Sequence, residues 1–356
     1  MNLRYGMNPH QQTATATPID PGTRPLRVVR GEPSYINILD AAGAWQLVRE
    51  AATALGRPVA ASFKHVSPAG AATAGPLDAV TAATYQLDPA ATGAVTGAYA
   101  RARDADPKSS YGDFVAVSEP VDEELADLLR RVVSDGIVAP GYEPGVVASL
   151  AAKKGGRFLV VEADAAFEPP AVEAREVYGL RLTQPRDGVP LTRELLTDPR
   201  LPAAAVDDLL LGLVVVRHTQ SNSVAYVRDG MALGIGAGQQ SRVDCTRLAG
   251  AKADTWWLRR HPSVQASSAR IQDRVAEQLR RAGDVPDPAA WLRALDRVAF
   301  VSDGALPFAD NVEEAARHGV RYIAEPGDSI RSAAVQQECD RRGITLVRTG
   351  IRLFRH

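Results

Sequence analysis

Short apolar runs alternate with stretches of helical period along the whole chain, and this alternation restricts the protein to an α/β architecture in which strands are buried by helices. Helices are predicted over 39–55, 121–133 and 239–260, and strands over 59–66, 114–118 and 157–161. Asp229-Gly230 separates two apolar runs, 224–227 and 231–235, and predicts a β-hairpin turn. From residue 298 onward, strands at 298–301, 322–324 and 344–347 alternate with helices at 311–318 and 329–341, a βαβαβ unit. Pro169-Pro170 and Pro286-Asp287-Pro288 mark loops or boundaries.

With 356 residues, 45% of them hydrophobic, the chain can bury two ordinary cores. The 41 basic residues against 42 acids leave a net charge of −1 and no broad basic field, so neither nucleic acid nor an anionic membrane surface is expected as partner. No run is long enough for a membrane span, and the opening Met1-Asn2-Leu3-Arg4-Tyr5-Gly6 lacks a signal peptide's pattern, so the default expectation is cytoplasmic. Cys245 and Cys339 are far apart and without metal-spaced partners, which predicts buried thiols.

Four segments could carry chemistry. In Ser62-Phe63-Lys64-His65-Val66-Ser67-Pro68-Ala69-Gly70 an apolar strand ends in Lys64-His65 and is predicted to break into a Pro/Gly loop. An ammonium beside an imidazole can polarise an acyl oxygen while the imidazole takes a proton; a solvated lysine and a loop-capping histidine is the competing reading. In Thr219-Gln220-Ser221-Asn222-Ser223, Asn222 either ties loops together, which the residues alone favour, or presents its amide to a ligand. Gly234-Ile235-Gly236-Ala237-Gly238 leads from a strand towards Arg242. The glycine spacing is wrong for a dinucleotide fingerprint, but the segment would suit an anionic ligand. Arg4 and Arg352 stand near the two ends among aromatic residues, as in docked segments. Trp256-Trp257 reads as core packing.

Taken together, the segments resemble the transformylase half of the bifunctional purine-biosynthesis enzyme, which formylates aminoimidazole carboxamide ribotide (AICAR) with 10-formyltetrahydrofolate. The similarity spans the chain and rests on ordered motifs: Arg4-Tyr5-Gly6-Met7-Asn8-Pro9-His10-Gln11, Lys64-His65, Ser109-Ser110-Tyr111-Gly112-Asp113-Phe114, Ser134-Asp135-Gly136-Ile137, residues 219–224, residues 234–242 and the arginine-containing end. The resemblance implies a duplicated cytidine-deaminase-like α/β fold, with one subdomain over 1–165 plus 262–296 and the other over 166–261 plus 297–356. It also implies active sites formed across a homodimer. The deaminases' His-x-Glu and Cys-x-x-Cys zinc signature is absent from this sequence, so metal-free chemistry is expected.

By the same resemblance His65 accepts or relays the proton of the 5-amino group, Lys64 stabilises the formyl oxyanion and Asn222 orients the formyl group. Arg4, Tyr5, Asn37, Gly112 and Arg352 would hold the nucleotide, the arginines on its phosphate. Asp135, Arg242, Pro307, Phe308 and Asp310 would receive the folate. Thr219, Ser221, Ser223 and Asp303 match a structural monovalent-cation site, K+ being the candidate.

Two departures from the family pattern stand out. The cyclohydrolase domain that usually precedes the opening motif is not in this sequence, so formylation without ring closure is expected. Ala305-Leu306 stands where the family has two phenylalanines, a loss of about 1 to 3 kcal/mol of packing near the substrate base. The region 264–299 is also short. These changes leave room for a specialised paralogue acting on a related aminoimidazole; a catalytically silent partner subunit is the reading from another class.

Overall fold

The computed structural model describes all 356 residues. β1 (Leu26–Arg30) and α1 (Tyr35–Leu55) are followed by the hairpin β2 (Val59–Lys64) and β3 (Ser67–Thr73), then α2 (Ala79–Tyr85) and α3 (Ala94–Ala105). β4 (Asp113–Val117), α4 (Glu123–Arg131), β5 (Ser134–Ala139), α5 (Val146–Ser149) and β6 (Leu159–Ala163) complete the first half. An arm of β7 (Val172–Val177) and β8 (Leu180–Pro185) leads to α6 (Ala203–Arg217), the hairpin β9 (Val224–Arg228) and β10 (Met231–Gly236), and α7 (Arg242–Leu258). α8 (Ile271–Ala282), α9 (Pro288–Leu292), β11 (Val298–Ser302), α10 (Asp310–Ala316), β12 (Val320–Glu325), α11 (Ser332–Arg342) and β13 (Thr345–Arg348) follow.

All strands except the arm join one sheet of order β1-β6-β5-β4-β2-β3-β10-β9-β11-β12-β13. Its two halves repeat. In each, a helix precedes an antiparallel hairpin (β2–β3, β9–β10). The hairpin's first strand pairs antiparallel with the next (β4, β11), and two parallel strands extend the sheet outward. The halves meet where β3 and β10 pair antiparallel. The third residue after the start of each second hairpin strand is glycine, and the reason is the same. A Cβ on Gly70 would lie 2.0 Å from the Ala102 carbonyl of α3, and one on Gly234 would lie 2.1 Å from the Ala249 carbonyl of α7.

One large core, containing residues of both halves, lies under α1 and α6 on one face of the sheet. On the other face α3 and α4 cover the first half, and α7, α10 and α11 the second. α8 packs on the first half through Ile271, Arg274 and Gln278. Trp256 is buried, and Trp257 stacks on both Trp256 and Trp291. Cys245 and Cys339 are free and buried, and burial pushes both thiols up to about 12. The βαβαβ end and the Asp229-Gly230 hairpin form as the sequence predicts.

Each hairpin turn is held by an aspartate at the sixth residue of the preceding helix. On α6, Asp208 accepts from the amides of Asp229 (2.9 Å) and Gly230 (2.6 Å). Burial pushes its carboxyl up to about 6 from 3.8. Between those values the folded chain holds a proton that the unfolded chain has released, so this group's stabilisation is present in acid and lost as pH rises. Asp208→Asn is expected to flatten the stability profile between about pH 4 and 6, measured by urea unfolding across that range.

Candidate active site

The antiparallel seam decides what gathers at the site. Because β10 runs opposite to β3, its end and the loop beyond it share one sheet end with the β2–β3 turn. So do the segment before β9, the end of β11 and the starts of β4 and β5. Residues 64–67, 111–113, 134–135, 220–223, 237–241 and 302–304 therefore converge. The expectation of a site beyond strand carboxyl ends holds for β2, β10 and β11, whereas β4, β5 and β9 present their amino ends here in this mixed sheet.

The expected Pro/Gly loop after His65 is a hairpin instead. Lys64 pairs with Ser67, and His65 (φ 54°) and Val66 (φ 62°) form the turn, both left-handed. That conformation costs on the order of 1 to 2 kcal/mol per non-glycine residue and is rarest for a β-branched one. Asp40, buried on α1, accepts from the Val66 amide at 2.7 Å and holds the turn. The Lys64 ammonium donates to the Tyr111 carbonyl at 2.7 Å, beside Gly112, whose φ is 77°. His65 itself is exposed.

Ser67 ties the turn to the second half by accepting from the Gln220 amide at 3.3 Å. The Asn222 amide donates to the carbonyls of Gln239 (2.8 Å) and Gln240 (3.0 Å), and its oxygen accepts from Arg242 (2.6 Å). In this arrangement Asn222 ties loops. Arg242 also donates to Ser302 and Asp303, and that pair is buried on both sides. The other oxygen of Asp303 accepts from the Ser221 hydroxyl and from the Ser223 amide at 2.9 Å. Thr219 and Ser223 donate to Val215 and Val216 carbonyls at the end of α6. Gly234 and Gly236 face α7: a Cβ on Gly236 would stand 2.6 Å from the Cys245 carbonyl, so helix packing is what requires these glycines.

The chain's last residues run along this cluster. The Leu353 amide donates to the Asp303 carbonyl (2.8 Å), the Ser221 amide donates to the Arg355 carbonyl (2.9 Å), and the Arg355 amide donates to the Ser221 hydroxyl (3.0 Å). Arg352 is exposed, its guanidinium 4.7 Å from the Phe354 ring. At the other terminus, the Arg4 amide donates to Pro33 and the Tyr5 carbonyl accepts from Tyr35, which docks both at the start of α1. Asn37 caps that helix, accepting from Ser34, one turn before Asp40. Asp135 faces the turn from β5 and is ion-paired with Lys154. Pro307, Phe308 and Asp310 flank the start of α10, Phe308 being 54% exposed. Leu306 is buried in the core of the second half, whereas Ala305 is half-buried at the site's edge.

No group of three or more His, Cys, Asp or Glu side chains is placed to hold a metal ion, and no helix is long and apolar enough to cross a membrane. The family model for the AICARFT/IMPCHase bienzyme matches residues 1–252. The chain belongs to the AICARFT/IMPCHase bienzyme family. Among its AICARFT/IMPCHase relatives are the bifunctional purine biosynthesis proteins PurH of Ruegeria pomeroyi, 34% identical over 360 residues, and of Roseobacter denitrificans, 32% identical over 360 residues. Each alignment covers 99% of this chain and 59% of the relative, so the chain spans about three-fifths of the length of these family members.

Asp40 is the residue of this site that sequence reasoning missed. A lone aspartate inside an apolar helix carries no motif. The one available signal was its twin, Asp208, at the same position of the helix before the other hairpin.

Proposed function

We propose that the protein transfers a formyl group from 10-formyltetrahydrofolate to the 5-amino group of AICAR, using Lys64 and His65. The observation that carries this reading is the clamped turn. It holds an exposed imidazole next to an ammonium whose remaining hydrogens are free for an oxyanion.

The amine nitrogen attacks the formyl carbon and the N–C bond forms as His65 takes the amine's proton. The carbonyl electron pair moves onto oxygen, where Lys64 stabilises the charge. Collapse breaks the bond from the formyl carbon to N10 of the folate, and N10 takes the proton from the imidazolium, releasing tetrahydrofolate. Arg4, Tyr5, Asn37, Gly112 and Arg352 are assigned to the nucleotide, and Asp135, Pro307, Phe308 and Asp310 to the folate. Arg242, held by Asp303, and Asn222, held by two carbonyls, enter as residues that fix the loop. A monovalent cation fits the Thr219, Ser221, Ser223 and Asp303 cluster poorly. Asp303 is already compensated by Arg242 and saturated by Ser221 and Ser223, so no step is routed through a cation.

Each half is read as a cytidine-deaminase-like unit without the zinc site, supported by the repeated topology, with subdomains 1–165 plus 262–296 and 166–261 plus 297–356. The protein acts in the cytoplasm as a homodimer. Support for the second copy comes from the β7–β8 arm, which exposes Val172, Val177, Leu180 and Leu182.

The test is an assay of the purified protein with AICAR and 10-formyltetrahydrofolate, following tetrahydrofolate release and product mass. Formylated ribotide is the expected product; folate binding without turnover would overturn AICAR as substrate. Ala305 at the site's edge favours one second reading, a related aminoimidazole. Faster turnover of the dephosphorylated nucleoside than of the ribotide would establish it.

A further inference from the structure

The two hairpins offer an internal comparison. In the second half, an aspartate at the sixth helical position clamps Asp229-Gly230, a pair that adopts a left-handed turn readily. In the first half the same device clamps His65-Val66, which does not. The fold could close β2–β3 with a relaxed Asp-Gly turn, as it closes β9–β10. It instead holds an imidazole and a β-branched residue at positive φ. Strain kept where a relaxed alternative exists in the same molecule marks a position whose side chain is needed.

The geometry points to Asp40 as the positioning residue for His65: through its grip on the turn it fixes where the imidazole stands. This rests on the reading of His65 as proton acceptor given above. Asp40 is 7% exposed. Its Oδ1 takes the Val66 amide at 2.7 Å, and the His65 amide also faces the carboxylate. Burial pushes the Asp40 carboxyl up, opposed by those amides and by His65 itself. The other charges around the turn are Lys64 next to it, Asp135 on β5 with its partner Lys154, and Arg355, which reaches Gly43 one turn further along α1.

The experiment compares three variants. Asp40→Asn keeps an acceptor oxygen for the Val66 amide, Asp40→Ala removes it, and Asp208→Ala removes the equivalent clamp from the other hairpin. Asp40→Ala is expected to lower kcat at least about tenfold with KM changed less than about twofold, and Asp40→Asn to recover most of that loss. Proton NMR of the six histidine rings, with His65 assigned from its loss in His65→Ala, gives a reading independent of turnover. The His65 signal should move in Asp40→Ala and stay in Asp208→Ala; an unmoved signal in folded Asp40→Ala overturns the inference. Should that variant not fold, hydrogen exchange of the Val66 amide in the unmodified protein decides: the amide must be protected, and an unprotected one overturns the inference equally. Because neither reading needs turnover, a protein that fails to formylate AICAR sinks the functional reading alone and leaves Asp40 to be judged separately.

Discussion

His65→Ala is expected to reduce formyl transfer by about 10² to 10⁴-fold while the protein remains folded. The loss has a specific origin. The 5-amino nitrogen is conjugated with an electron-poor imidazole, so its attack succeeds only if a base removes the proton as the bond forms. The His65 side chain is exposed, so removing it opens no cavity, and Asp40 still holds the Val66 amide. Unfolding midpoints in urea should therefore shift little, and kcat should carry the effect with KM nearly unchanged. A variant that retains more than about a tenth of the activity would show that solvent or another group takes the proton, and His65 would lose its role.

Asp303→Ala is expected to cost about 3 to 5 kcal/mol of folding stability, read from urea unfolding. Asp303 is fully buried against a guanidinium that is itself buried. Truncating it strands Arg242 in a medium that cannot solvate its charge, and also frees the Ser221 hydroxyl and the Ser223 amide. The double replacement Arg242→Met with Asp303→Leu should recover much of the loss, because apolar pairs often substitute for buried ion pairs without penalty. A loss under about 1 kcal/mol would mean that water reaches the Arg242 guanidinium. Turnover is expected to suffer as well, since Asn222, Ser221 and the backbone at Leu353 all lean on these two residues.

How far the sequence speaks differs sharply between the two hairpins. Asp229-Gly230 announces a turn because glycine and aspartate tolerate positive φ, and β9–β10 is where it was expected. His65-Val66 announces nothing, because what holds it left-handed is Asp40, 25 residues upstream. The strand Ser67–Thr73 was hidden further by Pro68 and Gly70, which read as a loop but are accommodated by the close approach of α3. α3 was missed for a related reason. Arg101, Arg103 and Asp104 look like a solvated stretch, yet all three are buried, Arg103 against Asp113 and Asp104 against Arg259 and Arg260. Lys64 and His65 were legible as a chemically capable pair. The engagement of Arg242 and Asn222 by their neighbours was not, since it depends on contacts across 17 to 61 residues of chain.

The seam between the halves bears on how substrates come and go. β3 and β10 are neighbours in a single hydrogen-bonded sheet, and the core beneath α1 and α6 crosses that line. A hinge there would have to break backbone bonds and open apolar surface together, so the two halves cannot swing apart to admit ligand. Access must be governed by short segments at the sheet end, and crosslinking α1 to α6 should leave the rate of ligand capture unaltered.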